Sequence, residues 1–211
     1  MLYAIAVDLK QWIAEGLKHF SIEAPEPALD GLCTYVRELD RWNRRVNVTG
    51  KKNVDSMVKD LLYDSFFLHG WTRGEPCLLD VGSGAGIPGI PLAILRPELR
   101  VTSVDSSLKK VQFQRHIRRT LQMENLFIVH GRIEEIAPLG VDAMTAKAFG
   151  SVEHLLDAGI RHLNPGGRAF LLRGKAGTMP AHQGFLPERD EHYILPGGRK
   201  EYRLFVYKRV P

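Results

Sequence analysis

Four glycines crowd one short stretch of the chain, residues 78–89, which reads Leu-Leu-Asp-Val-Gly-Ser-Gly-Ala-Gly-Ile-Pro-Gly. Apolar residues lead up to Asp80; three glycines then follow at alternate positions, and the fourth comes three residues after them. This pattern predicts a buried strand that ends in a tight turn and opens a helix. Glycine is needed where the backbone takes a positive φ or where a ligand must approach closer than a Cβ allows. The stretch therefore predicts a turn that cradles a cofactor.

Two cofactor patterns overlap in this turn. Residues 84–89 fit the G-x-G-x-x-G fingerprint of dinucleotide enzymes, whereas residues 80–86 resemble the acid-x-G-x-G-x-G motif of S-adenosylmethionine (SAM) methyltransferases. NAD would bring an anionic pyrophosphate to the turn, and SAM would bring a sulfonium and an ammonium. Opposite unit charges about 4 Å apart gain roughly 4 kcal/mol at an effective dielectric of about 20, and like charges lose as much. The carboxylate of Asp80 therefore favours SAM.

A second acid, Asp105, lies 19 residues after Gly86 (105 − 86), at the end of the next predicted strand. An acid in this place can accept both ribose hydroxyls of either cofactor. It indicates a nucleoside without choosing between the two. An NAD enzyme and an ordinary left-handed turn in a parallel sheet remain as alternatives.

Length and composition bound the fold. The 211 residues, 44% hydrophobic and 25% charged, suffice for one full domain with a small extension. The first ten residues contain Asp8 and Lys10, and no apolar run approaches the ~20 residues of a membrane span, which predicts neither a signal peptide nor a membrane anchor. Cys33 and Cys77 lack C-x-x-C spacing and the eight histidines are dispersed, so no metal is predicted. We expect a cytoplasmic protein with no obligate protein partner.

The charge is moderately basic, with 29 Lys and Arg against 24 Asp and Glu and a net charge of +5. The basic residues are clustered, and clusters matter more than the total. The three clusters are Arg41, Arg44, Arg45, Lys51 and Lys52; Lys109, Lys110, Arg115, Arg118 and Arg119; and Arg199, Lys200, Arg203, Lys208 and Arg209. This clustering predicts a polyanionic partner.

The elements that must position these residues fall into two parts. Apolar residues recur at helical spacing over residues 2–20, 28–42 and 54–66, which predicts an N-terminal helical cap over residues 1–74. From Cys77 onward the pattern alternates between strand and helix. The predicted strands are residues 78–81, 100–104, 126–129, 143–146 and 168–172, and the predicted helices are 90–95, 108–121 and 152–163.

Strands joined by helical crossovers predict a parallel sheet with right-handed connections. Two further strand patterns, residues 192–195 and 203–207, are separated by Pro-Gly-Gly with no helix between them, which predicts an antiparallel pair at the edge of the sheet. The predicted class is therefore α/β. The arrangement resembles the Rossmann-like class I SAM methyltransferase fold, over residues 75–211.

The sequence disfavours two kinds of nucleic-acid methylation. The Asn/Asp-Pro-Pro-aromatic turn typical of enzymes that modify exocyclic amines is replaced after the fourth strand by residues 147–150, Lys-Ala-Phe-Gly. Neither cysteine stands where it could attack a pyrimidine carbon. An acceptor with its own lone pair, such as a purine N7, needs no base, and positioning with electrostatic complementarity can then carry catalysis.

Several polar or aromatic residues could face such a substrate. Phe149 could stack on a base or belong to the core. Asn43 and Asn47 could bind RNA or cap helix ends. Arg173 and Lys175 follow the fifth strand at the carboxyl edge, where ligands of open sheets bind, and could contact phosphates.

Residues 42–49, Trp-Asn-Arg-Arg-Val-Asn-Val-Thr, resemble the W-N-x-x-x-N-L-T signature of the RsmG (GidB) family of bacterial ribosomal RNA methyltransferases. Further similar stretches follow in the family's order at residues 64–65, 79–92, 96–98, 105–106, 109–110, 132–135 and 148–149. The resemblance covers roughly residues 28–175. It implies transfer of a methyl group from SAM to N7 of one guanine in small-subunit (16S) ribosomal RNA near the decoding region, on naked rRNA or the assembled subunit.

The resemblance also implies cofactor contacts at Gly82, Ile87, the backbone of Ile133 and Glu134, and residue 147. With the turn and the second acid, the predicted cofactor residues are Asp80, Gly82, Gly84, Gly86, Ile87, Asp105, Ile133, Glu134 and Lys147. The predicted RNA-facing residues are Asn43, Arg44, Asn47, Phe149, Arg173 and Lys175. No general base is assigned.

This chain departs from the family at two positions. Lys147 stands where the family has arginine, which keeps the charge and loses the planar fork. Leu61 stands at the histidine position of the family's H-x-x-D-S pattern, whose last two residues are Asp64 and Ser65 here. A small-molecule SAM methyltransferase and a non-catalytic RNA-binding or ribosome-binding module are the alternative functions.

Overall fold

The computed structural model describes residues 2–148, 150–175 and 177–211. The N-terminal part is helical, as predicted, with α1 (Leu2–His19), α2 (Glu26–Val46), α3 (Val54–Met57), a π-helical turn (Val58–Leu62) and α4 (Tyr63–Trp71). Among these residues, no helix is both long and apolar enough to cross a membrane.

Helix α2 is longer at both ends than the sequence predicts. Pro27 lies in its first turn, where a missing backbone N–H costs no hydrogen bond. The helix continues past Trp42 to Val46 and ends where Asn47 takes a left-handed conformation, with φ 48°. The predicted third helix is interrupted by the π-helical turn, which periodicity does not reveal.

The remaining elements form one seven-stranded sheet with the strand order β3-β2-β1-β4-β5-β7-β6. Its strands are β1 (Cys77–Val81), β2 (Arg100–Asp105), β3 (Leu126–His130), β4 (Val141–Lys147), β5 (Leu163–Gly174), β6 (Phe185–Ile194) and β7 (Glu201–Arg209). Strands β1 to β5 run parallel, and β7 pairs antiparallel with both β5 and β6. Three helices follow strands, α5 (Gly89–Leu95), α6 (Leu108–Thr120) and α7 (Val152–Gly159). The predicted fold class is confirmed.

One boundary differs because of a local irregularity. Helix α7 ends at Gly159 rather than at residue 163, and β5 already begins at Leu163 rather than at residue 168, so that residues 165–167, Pro-Gly-Gly, lie within this strand. The pairing of β4 with β5 shifts register between Val141 and Ala143. Such irregularities are where strands tolerate proline and glycine.

Apolar side chains pack on both faces of the sheet. One cluster joins α1, α2 and α4 to α5, α6 and the sheet, with Tyr35, Phe66 and Phe113 fully buried in it. The other lies under α7 and includes Met144 and Tyr207. Because the first cluster contains side chains from both parts of the chain, the helical cap shares its core with the sheet. The domain boundary near residue 74 stays a prediction.

Candidate active site

A cavity of about 780 Å³ opens beside the carboxyl ends of β1, β2 and β4. Strand β1 lies between β2 and β4, so the chain connections on its two sides run in opposite directions across the sheet. Ligands of open α/β sheets bind in the crevice that forms at such a point. Its volume suits a nucleoside-sized ligand. The predicted residues that line it are Gly82, Gly84, Ile87, Asp105, Ile133, Glu134, Lys147 and Asn47.

The glycine turn after β1 takes the conformation that its glycines predict. Gly82, Gly84 and Gly86 all have positive φ, at 63°, 59° and 85°. A Cβ on Gly86 would lie 2.6 Å from Ile90 Cγ1, inside the first turn of α5. At Gly84 a Cβ would meet nothing closer than 3.9 Å, because this residue faces the cavity. Gly86 therefore allows the turn to pack closely against α5, and Gly84 leaves room for a ligand on the cavity side.

Asp80 supports the turn and does not line the cavity, which corrects the expected direct contact with a cofactor's positive charge. Its side chain is fully buried, and Oδ2 accepts a hydrogen bond from Gly89 N at 2.9 Å. Any Cβ on Gly89 would lie 2.7 Å from that oxygen. Oδ1 is buried without a partner among the described residues. Asp80 is thus a positioning residue for the start of α5.

Burial raises the pKa of the Asp80 carboxyl from 3.8 to about 7, against the hydrogen bond from Gly89, and the charge of Asp105 adds to the rise. The folded state then holds a proton that the unfolded state releases near pH 4. The contribution of Asp80 to stability is therefore fully present below about pH 4 and is lost as the pH rises through about 7.

We compare the free energy of unfolding of the wild type with that of Asp80→Asn. The wild-type value minus the Asp80→Asn value is expected to decrease by about 4 kcal/mol between pH 4 and pH 8. Asparagine does not titrate, so the difference isolates Asp80 from the other carboxylates. Urea unfolding of both proteins across this range measures it. A difference that stays constant with pH would contradict the assignment.

Asp105 joins the turn to α6. Its Oδ2 accepts from Gly84 N at 2.8 Å, and its Oδ1 accepts from Ser107 N at 2.8 Å. Lys110 Nζ lies 3.8 Å from Oδ2. The carboxylate is thereby fixed at the cavity wall, where the sequence predicts an acceptor for ribose hydroxyls.

Two buried side chains that no sequence pattern indicates also support the turn. Gln114 Nε2, on α6, donates to Ser83 Oγ and to Gly84 O, both at 2.8 Å. Tyr35 Oη, on α2, donates to Ala85 O at 2.9 Å. Both side chains are buried and lie 30 or more residues from the turn, so no local pattern could reveal them.

Lys147, at the end of β4, lines the cavity and ties three elements together. Its Nζ donates to Asp60 O in the π-helical turn at 2.7 Å and lies 2.5 Å from Asp64 Oδ2. Asp64 is only 1% exposed, and its Oδ1 accepts from Tyr193 Oη, on β6, at 2.8 Å. Burial raises the pKa of the Tyr193 hydroxyl far above its usual value, and the charge of Asp64 adds to this, so the phenol stays a donor.

The segment after β3 closes another side of the cavity. His162 Nε2 lies 2.9 Å from Ile133 O, and Arg161 donates to Glu134 O at 3.0 Å. His154 Nε2 lies 3.0 Å from the Glu134 carboxylate. Burial lowers the pKa of His162, which favours the neutral ring as the donor to Ile133. The two backbone positions that the sequence singles out are thus held rigidly at the cavity wall.

The two asparagines of the 42–49 motif have different surroundings. Asn43 Nδ2 donates to Lys51 O and its Oδ1 accepts from Thr49 N, both at 2.7 Å. Its amide therefore fixes the loop after α2, whereas the residue that caps the end of this helix is Asn47. Asn47 ends α2, and its exposed side chain lines the cavity. Asn47 alone of the two remains available for a substrate.

Three other candidates for RNA contact, Arg44, Arg173 and Lys175, do not line the cavity. Arg44 pairs with Asp40 at 2.8 Å, and Lys175 pairs with Glu201 at 2.8 Å. Arg173 donates to Gly150 O at 2.9 Å, beside the end of β4. Phe149 lies outside the described residues. Within those residues, no cluster of three or more His, Cys, Asp or Glu side chains could hold a metal ion.

Comparisons with known proteins agree with this geometry. The family model described as "rRNA small subunit methyltransferase G" (GidB) matches residues 29–184. The protein named ribosomal RNA small subunit methyltransferase G in Syntrophotalea carbinolica is 34% identical, covering 94% of this chain and 97% of its own. Its namesake in Bordetella avium is 33% identical, covering 82% and 79%.

Solved structures with little sequence identity share the fold. A SAM-dependent methyltransferase from Aquifex aeolicus aligns with a TM-score of 0.56 at 14% identity, covering 82% of this chain and 97% of that one. TrmN from Thermus thermophilus aligns with a TM-score of 0.55 at 20% identity, covering 70% and 48%. At such identities the likeness concerns the fold alone.

Proposed function

The chain belongs to the rRNA small subunit methyltransferase G (GidB) family, and from this membership we propose that it transfers a methyl group from SAM to N7 of one guanine in 16S rRNA, near the decoding region. One observation carries the proposal: a single cavity brings together the glycine turn, Asp105, Lys147 and the end of the 42–49 motif at Asn47. We also propose a cytoplasmic location for the reaction, as expected for an rRNA substrate.

The residues at the cavity fit SAM. The open side of Gly84 allows close approach to the backbone, and Asp105 offers a fixed carboxylate for ribose hydroxyls. We assign the cofactor to Gly82, Gly84, Ile87, Asp105, Ile133, Glu134 and Lys147, with Asp80 and Gly86 shaping the turn. When bound, SAM supplies a methyl group attached to a positively charged sulfur.

The acceptor explains why no general base is needed. Guanine N7 carries a free lone pair, so no proton has to leave before the new bond forms. The protein's task is to hold N7 in line with the methyl group, and such positioning can contribute several kcal/mol. Lys109, Lys110 and Arg132 line the cavity and supply cations for the phosphates beside the acceptor.

The two positions at which this chain departs from the family pattern, Leu61 and Lys147, lie on the same wall of the cavity. Leu61 lines it with an aliphatic side chain, and the ammonium of Lys147 is held by Asp60 and Asp64. Lysine thus keeps the contact between β4 and the helical cap that a cation at this position provides. We propose that residues 1–74 form a cap that helps to hold RNA over the cofactor.

Methyl transfer from labelled SAM tests the function directly. The acceptors are 16S rRNA and small ribosomal subunits from cells that lack this gene, with the same material from parental cells as the modified control. Chemical cleavage at 7-methylguanine maps the product. Label at one guanine, in the gene-lacking material alone, is the expected result. No label on either acceptor, with SAM binding intact, would overturn the proposal in favour of a small-molecule acceptor or a non-catalytic binder.

Asp105→Ala is expected to weaken SAM binding about 30-fold, because it removes the carboxylate that fixes Gly84 N and faces the ribose, and hydrogen bonds to a charged group contribute about 1.5–3 kcal/mol. Calorimetric titration measures the affinity. Asp142→Ala is the matched control, since Asp142 lies at the far end of β4 and accepts from Asn164. Equal SAM affinities in the two variants, or tighter binding of NAD than of SAM by the wild type, would contradict the assignment.

A further inference from the structure

A second pocket, of about 350 Å³, lies in the groove between α2 and α6. We call it the α2–α6 pocket; its lining residues are Glu38, Arg41, Trp42, Arg45, Val46 and His116. It is close to the cofactor cavity, because Val46 directly precedes Asn47 and because α6 supplies Lys110 to the cavity. Lys110 and His116 are six positions apart on this helix, or roughly 9 Å along its axis.

The pocket has an aromatic wall that is already ordered. The rings of Trp42 and His116 lie with their centroids 5.2 Å apart at an interplanar angle of 35°. Trp42 also packs edge-on against the buried Phe113, at 5.6 Å, which fixes its position. Val46 adds an exposed aliphatic surface, at 39% exposure. A flat base can stack on such a wall without the protein having to rearrange.

The rim of the pocket is cationic. The side chain of Arg41 is 68% exposed, and Arg45 is exposed as well. The lining has one acid against these two arginines: Glu38, which lies 2.6 Å from His116 Nε2 and 3.6 Å from Arg41. Arginines around an aromatic wall suit a nucleic acid whose bases stack while its phosphates meet the guanidinium groups.

We propose that the α2–α6 pocket holds an unpaired base of the rRNA next to the methylated guanine, with Arg41 and Arg45 binding the phosphates that flank it. The inference rests on the proposed function, since it takes rRNA as the polyanion. RNA-binding proteins recognise single-stranded bases in this way, by stacking them on aromatic rings. The pocket would fix the register of the RNA so that the correct guanine reaches the cofactor cavity.

The phosphate contacts are tested with Arg41→Glu/Arg45→Glu. We expect its affinity for 16S rRNA to fall more than about tenfold, with a shallower salt dependence, while SAM affinity is unchanged. The matched control is Arg189→Glu/Lys208→Glu, the same charge change on exposed residues of β6 and β7 at the other edge of the sheet. An equal loss in both variants, or no loss in the first, overturns the inference.

The stacking contact is tested with His116→Ala and with Trp42→Phe, which keeps an aromatic ring against Phe113. We expect His116→Ala to raise KM for rRNA roughly fivefold with kcat unchanged, and Trp42→Phe to have a smaller effect. In Trp12→Phe/Trp71→Phe, where Trp42 is the sole tryptophan, an RNA fragment that contains the mapped guanine should quench the fluorescence. Unchanged KM in His116→Ala overturns the inference, whether or not the tryptophan variant folds.

The binding of rRNA and the transfer of the methyl group are measured in separate experiments. Their results therefore distinguish a failure of the pocket from a failure of the proposed function. If the wild type methylates rRNA and the arginine variant binds it normally, only the pocket is refuted. If the wild type binds rRNA through these arginines but transfers no methyl group, the pocket stands and the proposed function fails. Absence of rRNA binding by the wild type refutes both.

Discussion

Replacing Gly86 with alanine is expected to weaken SAM binding on the order of 100-fold and to lower the free energy of unfolding by about 3 kcal/mol. The backbone at Gly86 has φ 85°, which costs other residues about 1–2 kcal/mol. The added Cβ would also lie 2.6 Å from Ile90 Cγ1, and Ile90 is fully buried, so it cannot yield freely. The turn must therefore move, and with it the cofactor site.

Gly74→Ala is the matched control for this prediction. Gly74 has nearly the same backbone conformation, φ 84°, but a Cβ there would meet nothing within 4 Å. It measures the backbone strain alone, about 1–2 kcal/mol, and should leave SAM affinity unchanged. Urea unfolding and calorimetric SAM titration of both variants decide the matter. If Gly86→Ala behaves like Gly74→Ala in both measurements, the packing of the turn against α5 does not control the site.

Asp64→Ala is expected to lower the free energy of unfolding by about 3 kcal/mol and to abolish measurable methyl transfer. The change leaves the ammonium of Lys147 and the hydroxyl of Tyr193 without their shared carboxylate. An ion left unpaired in a largely buried place costs more than the pair itself contributes. Lys147 would then swing away from Asp60, and the cavity wall between β4 and the helical cap would loosen.

Glu75→Ala provides the comparison, because Glu75 is a buried acid paired with Arg168 at 2.5 Å and does not line the cavity. It should also destabilise the fold, by a smaller amount because the side chain of Arg168 is 41% exposed and can be solvated, and it should leave kcat unchanged. Tyr193→Phe should keep the ion pair and cost only about 1 kcal/mol. In a double-mutant cycle, Asp64→Asn and Lys147→Met should be non-additive. Additive effects, or a similar fall of kcat in Glu75→Ala, would show that Asp64 acts only through stability.

The sequence predicts the parts of this site that are local. The glycine turn and Asp105 follow from strand patterns, residue types and one characteristic spacing, and the structure brings them together through the bond from Gly84 N. Asp80 shows where such reasoning stops. The sequence shows that an acid ends the strand. It does not show that the carboxylate packs against Gly89, accepts a hydrogen bond from its backbone N–H and so points away from the cavity.

Contacts between distant parts of the chain leave no such pattern. Tyr193 lies 129 residues from Asp64, and Tyr35 lies 50 residues from Ala85. Each would be read from the sequence as an ordinary core aromatic. The alternation of strands and helices predicts the sheet, but which buried hydroxyl meets which polar atom depends on how the helical cap sits on it.

The order of strands at the antiparallel edge has a consequence for synthesis of the chain on the ribosome. Strand β7 follows β6 in the sequence yet lies between β5 and β6 in the sheet, so β6 has no neighbour to pair with until β7 has emerged. Tyr193 can reach Asp64 only after that step. A nonsense codon at Glu201 would therefore spare every residue of the cavity wall and still be expected to leave an inactive polypeptide, prone to aggregation at its unpaired strand.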